Sequence, residues 1–166
     1  MITLSPKDTI TIYRILRLLN EDMLGIAENE WEQEDYGVRF VKRKEIKPLI
    51  KKLGTLVPKE EIEKIDKEIM RNKYGGFSYG PDEQVYAVLK KAFDKKRIVE
   101  VEYYSPSREE VTQRRISIFY LSRRYIIAYC HKREDIRKFR ADRFISAKLM
   151  KERYTIPVDF DKKEYL

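Results

Sequence analysis

The sequence predicts an α+β protein, in which an N-terminal helical segment precedes a small five-stranded β-sheet that curls up or closes into a barrel. Three observations predict it. Apolar residues recur at helical spacing up to Phe93 and at a spacing of two from Ile98 onward. Gly75, Gly76 and Gly80 break the chain just before the last helical stretch. Five short apolar runs separated by tight polar turns then follow, and so short a set of strands protects its edges best by curling on itself.

The elements follow in order. Ser5-Pro6-Lys7-Asp8 opens a helix. Ser5 can accept from a free first-turn N–H, Pro6 presets its own φ, and Asp8 places negative charge at the positive helix end. Ile12, Ile15, Leu16, Leu19 and Met23 share one face, which Ile10, Tyr13 and Leu18 broaden. Residues 25–42, with an acidic run around Trp31, lack a period and are read as loop. A second helix is predicted over residues 43–53, with Ile46, Leu49, Ile50 and Leu53 as its stripe and Gly54 as its stop. A third starts at Pro58 and buries Ile62, Ile65 and Ile69. Residues 74–81 read as a linker. Pro81-Asp82-Glu83 opens a fourth helix with the stripe Val85, Val88, Leu89, Ala92 and Phe93. Strands are predicted over residues 98–104, 111–121, 125–130, 136–140 and 144–154, with Ser105-Pro106-Ser107 as the first turn. Residues 156–166 read as the first turn of another helix.

Charge narrows the function classes. The net charge is +8 and is unevenly placed: residues 101–150 hold twelve Lys or Arg against six Asp or Glu, and nine of the twelve are Arg. A planar guanidinium pairs with phosphate through two parallel hydrogen bonds, so the excess favours anionic partners such as nucleic acid or nucleotides. No apolar run reaches the roughly 20 residues of a membrane span, the N-terminus lacks the order of a signal peptide, and Cys130 has no second cysteine to pair with. A cytoplasmic location is expected. The chemistry of catalysis is sparse. His131 and Cys130 are single copies and adjacent, so on a strand they point to opposite faces, and a metal site or a Ser-His pair is not expected. Gly75-Gly76 lacks the Lys-Ser/Thr partner of a phosphate loop. No enzyme activity, cofactor or metal is expected. What remains is a cluster of arginines with interleaved aromatics: Arg114, Arg115, Tyr125, Tyr129, Arg137, Phe139, Arg140 and Arg143. It is either an anion-binding surface or a solvated charged face on a small sheet.

From about residue 81 to 161 the chain resembles the WYL domain of bacterial transcriptional regulators. The resemblance rests on the strand Ile98-Val99-Glu100-Val101-Glu102-Tyr103-Tyr104, on Arg115-Ile116-Ser117-Ile118 and on Arg124-Tyr125-Ile126. It also rests on Arg137-Lys138-Phe139-Arg140-Ala141-Asp142-Arg143-Phe144. Ile118 replaces the family's Pro, and Arg124 its Trp. The resemblance implies a Sm-like or SH3-like β-barrel over residues 81–155 with a leading helix. Residues 1–73 then form a helical connector that dimerises, and 156–166 start a C-terminal extension. It implies a ligand-sensing module of a transcriptional regulator that binds a nucleic-acid or nucleotide-like anion. The ligand-binding candidates carried over are Arg115, Ser117, Tyr125, Arg137, Phe139, Arg140 and Arg143, with Asp142 pinning Arg143 or a turn. The alternative is an accessory protein that grips single-stranded RNA or DNA directly. A homodimer is expected. Residues 1–75 show no helix-turn-helix, so a DNA-binding domain is separate or missing.

Overall fold

The computed structural model describes residues 3–21, 43–76 and 80–166. Met23, the loop predicted over 25–42 and the centre of the linker at 77–79 lie outside them. The chain divides into two compact units, residues 1–69 and 70–166.

Three helices supply the described part of the first unit: α1 (Pro6–Asn20), α2 (Arg43–Gly54) and α3 (Lys59–Tyr74), the last turn of α3 counting with the second unit. α1 begins as its sequence dictates. Ser5 Oγ accepts from the Asp8 N–H, and the Asp8 carboxylate accepts from the Ser5 N–H, a reciprocal cap. The core is Tyr13, Val57, Ile65 and Ile69, with Ile10, Leu18, Ile50, Leu53 and Ile62 packed around it. This corrects the predicted faces. The buried side of α1 is centred on Thr9 and Tyr13, while Ile15 is 45% exposed and Ile12, Leu16 and Leu19 are half-buried. Leu49 of the predicted α2 stripe is likewise exposed, and Ile46 is fully buried. Tyr13 explains the rotation of α1: its ring packs beside Gly54, and its hydroxyl accepts from Arg17, which also bonds Asp66.

The second unit is an α-helix on an antiparallel sheet. α4 (Glu83–Asp94) is capped by the Asp82 side chain, which accepts from the Gln84 and Val85 N–H groups. The strands are β1 (Arg97–Ser105), β2 (Glu110–Leu121), β3 (Tyr125–Cys130), β4 (Asp135–Arg140) and β5 (Phe144–Arg153), in the order β4-β3-β2-β1-β5. All five were legible to within a residue. The tail forms a short 3-10 turn, Lys162–Glu164, within the stretch read as the first turn of a helix.

Register assigns the faces. Val99 pairs with Ile116, Val101 with Arg114, Ile116 with Cys130 and Ala128 with Arg137. Side chains alternate along each strand. The inner face is therefore Val99, Val101 and Tyr103 of β1, Thr112, Arg114, Ile116 and Ile118 of β2, Ile126, Ala128 and Cys130 of β3, and Arg137 and Phe139 of β4. α4 covers this face with Leu89 and Ala92. The sheet ladder is open, with β4 and β5 as its two edges. It is nonetheless strongly curled. A flat five-stranded sheet would hold its edges about 19 Å apart. Yet only the 3-10 turn Ala141–Arg143 joins β4 to β5, and the step from residue 140 to 144 spans at most about 14 Å. The curl brings Phe139 of β4 against Phe144 of β5, with ring centroids 5.8 Å apart, and Tyr103 stands edge-on to both at 5.1 Å.

Candidate anion-binding site

Arg114 occupies an inward register position between Thr112 and Ile116, where an apolar side chain is the norm. It is only 9% exposed. Its Nε donates to Thr112 Oγ1 at 2.9 Å, one Nη lies 3.9 Å from Cys130 Sγ, and the guanidinium faces the Tyr103 and Phe139 rings at 5.8 and 5.9 Å from their centroids. Among the described residues no carboxylate pairs with it. A buried guanidinium without a counter-ion is costly, and the geometry leaves its remaining donors to an outside acceptor. Arg114 borders a cleft of about 400 Å3 that Tyr103, Ser105, Arg137, Lys138 and Phe139 also line. Asp135 stands in the same cleft, 3.8 Å from Arg137 Nε, so the local charge is mixed but positive.

The seven predicted ligand residues do not form one group. Arg137 and Phe139 face inward and line this cleft, Phe139 also being part of the core. Arg115, Ser117, Tyr125 and Arg140 point to the outer face. Arg115 pairs with Glu152 at 2.8 Å and borders a smaller hollow of about 310 Å3 with His131 and Lys132. Ser117 is 2% exposed, and its Oγ lies 3.0 Å from His131 Nε2. A Ser-His contact therefore exists where none was expected, because the β2–β3 register carries the turn histidine back beside Ser117. Burial and then Arg115 push the His131 pKa down. No carboxylate bonds that imidazole among the described residues. Tyr125 carries the Lys138 ammonium 4.4 Å and the Arg124 guanidinium 5.3 Å from its ring centroid. Arg140 is gripped by Asp142 through two bonds, 3.0 and 2.5 Å, so Asp142 holds Arg140 and not Arg143. Arg143 Nε is buried and unpaired, as is the Tyr104 hydroxyl. Burial pushes the Tyr104 pKa up and Glu109 adds to this, while Arg71 and Arg143 pull it back.

Of the cleft residues, Arg114 belongs to the arginine–aromatic cluster read from the sequence but not to the seven ligand candidates carried over, and Tyr103 belongs to neither. The signal was present: an arginine at an inward strand position is out of pattern. Among the described residues no cluster of three or more His, Cys, Asp or Glu side chains could hold a metal ion, and no helix is long and apolar enough to cross a membrane.

With this geometry in place, comparison with known proteins bears on one stretch of the second unit. Residues 84–149, from the first turn of α4 into β5, match the family model of the WYL domain. This stretch is a WYL domain. No curated protein sequence matches the chain. Among solved structures, proteasome accessory factor B/C (PafBC) of Arthrobacter aurescens is similar at 22% sequence identity with a TM-score of 0.39. That similarity covers 92% of this chain and 21% of the other, so this chain spans about a fifth of the length of the protein it matches.

Proposed function

We propose that the WYL domain is the ligand-sensing module of a transcriptional regulator, and that it binds a nucleic-acid or nucleotide-like anion in the cleft between Arg114 and Arg137. One observation carries the reading: Arg114 is buried with no carboxylate partner among the described residues and opens on a cleft that Arg137 and Lys138 also border. The arrangement supplies one inward guanidinium, one exposed guanidinium and two aromatic rings within a space sized for a nucleotide end. This is equipment for binding, with no activated nucleophile beside it among the described residues, and we read the domain as non-enzymatic. The curled sheet acts on this reading as a Sm-like or SH3-like barrel. Residues 1–73 serve as a helical connector that builds a homodimer, and the location is cytoplasmic.

A second reading is supported by the outer face. Tyr125, with Lys138 and Arg124 over its ring, resembles a stacking platform on which single-stranded RNA or DNA is gripped directly. Titration with short oligothymidylates of increasing length separates the two. A discrete cleft gives affinity that saturates after a few nucleotides and a shallow salt dependence. An extended track gives affinity that grows with length, and each phosphate contact adds about 0.7 to the slope against log salt. Absence of binding to any oligonucleotide or mononucleotide at 50 mM salt refutes both.

A further inference from the structure

We propose that Arg140 is a latch for the end of α3 and does not contact the ligand. The proposal rests on the preceding reading only in placing the ligand on the inner face. β4 turns Arg137 inward and Arg140 outward, and on the outer face Arg140 meets the chain that enters the WYL domain. Its guanidinium is fixed by Asp142, whose side chain is only 7% exposed, and Nη2 then donates to the Gly76 carbonyl at 3.4 Å. The Arg140 N–H donates to the Tyr103 hydroxyl at 3.3 Å, which pins its backbone. Three neighbours reinforce the hold. Tyr74 lies on fully buried Tyr104 with ring centroids 6.0 Å apart, Arg71 pairs with Glu109 at 2.6 Å, and the Gly75 N–H closes the helix on the Arg71 carbonyl at 2.8 Å. Gly75 is required there, because a Cβ would come within 2.4 Å of that carbonyl.

Every one of these groups lies in residues 70–166. The final turn of α3 and the Gly75-Gly76 step are thus fastened to the sheet by the outward half of the arginine motif. A bidentate Arg–Asp pair with one partner almost fully buried gives the latch a rigid base. The Gly76 contact is long and single, so it opens readily.

The test is hydrogen exchange of the amides of residues 71–76 in the intact chain, which needs no ligand. Removing Arg140 alone strands the buried Asp142 carboxylate, so the pair is replaced together as R140Q/D142N. Gly75→Ala attacks the latch from the helix side with Arg140 in place. Both variants are expected to exchange these amides on the order of tenfold faster, as loss of about one hydrogen bond implies. The β2 and β3 amides should stay as protected as in the parent, and Arg137→Gln should leave residues 71–76 unchanged. Parental exchange at 71–76 in both latch variants, or equal loosening by Arg137→Gln, overturns the proposal. Oligothymidylate affinity is measured in parallel: its absence from the parent refutes the sensing reading and leaves the exchange result intact.

Discussion

Replacing Arg114 by Met should weaken anion binding while leaving the fold as stable or more so. The residue is 9% exposed. Desolvating a guanidinium costs several kcal/mol, and the protein returns part of that. The hydrogen bond to Thr112 contributes about 1.5 to 3 kcal/mol, and each aromatic face about 0.5 to 1 kcal/mol or more when dry. These terms roughly cancel. A methionine of similar length fills the space against Tyr103 and Phe139 without the desolvation term, so the expected change is from zero to about 2 kcal/mol in favour of the variant. The sheet unit, at residues 70–166, has a size for which 1 kcal/mol moves the midpoint by about 4–8 °C.

Binding should move the other way. Two charge-assisted bonds from the fork are together worth about 3 kcal/mol or more, hence a loss of roughly 100-fold. Arg114→Lys keeps the charge without the fork and should fall between. The assays are fluorescence anisotropy with a labelled oligothymidylate and a thermal melt without it. Adding the oligonucleotide at about 100 times its dissociation constant should raise stability by about 2.7 kcal/mol in the parent and much less in Arg114→Met. An Arg114→Met protein that binds within threefold of the parent but melts more than about 8 °C lower would refute the reasoning. Arg114 would then be a structural strut.

Tyr154 donates a short hydrogen bond to the Ile118 carbonyl, and burial pushes its pKa up to about 12. Its contribution to stability is complete below pH 10 and is lost as pH rises through about 12, so Tyr154→Phe should flatten the alkaline limb of a pH–melting curve; an unchanged limb counts against the assignment. For His131 the sign is opposite. Its folded pKa is lowered, so stability should fall as pH drops below about 6.5, and His131→Asn should remove that acid dependence. Ile15 is exposed on α1, and the homodimer proposed for residues 1–73 predicts that Ile15→Asp converts dimer to monomer in sedimentation. A monomeric parent at micromolar concentration sinks the dimer. Leu89→Ala empties a fully buried site between α4 and the sheet and should cost about 2–5 kcal/mol in denaturant unfolding.

Much of this was legible in the sequence because strands and caps are local. Ser5 with Asp8, Asp82 before α4, and the period-two runs state their own structure. Faces of the helical unit were less legible. On α1 the apolar residues nearly encircle the helix, so pattern could not say that Tyr13, with Gly54 beside it and Arg17 on its hydroxyl, would win the core from Ile15. The site was legible in composition and not in grouping. Arg137-Lys138-Phe139-Arg140 reads as one motif, whereas a strand sends its members to two faces. Ser117 beside His131 was invisible for a different reason: it depends on how β2 and β3 register, which no local pattern fixes.

The division of the motif carries a quantitative consequence. Arg137 and Arg140 are three residues apart on β4, about 10 Å along the strand, and face opposite ways. At that separation effects of substitution add to within about 0.5 kcal/mol. Arg137→Gln should weaken oligothymidylate binding and leave the exchange of residues 71–76 alone. R140Q/D142N should do the reverse. The combined variant should show each defect at its single-variant size, because neither side chain senses the other through the sheet. A cleft that depended on Arg140 would behave otherwise. Affinity would already fall in R140Q/D142N, and the combined variant would depart from the sum by 1 kcal/mol or more. Such a coupling would return Arg140 to the ligand and remove the separation of the arginines into two sites.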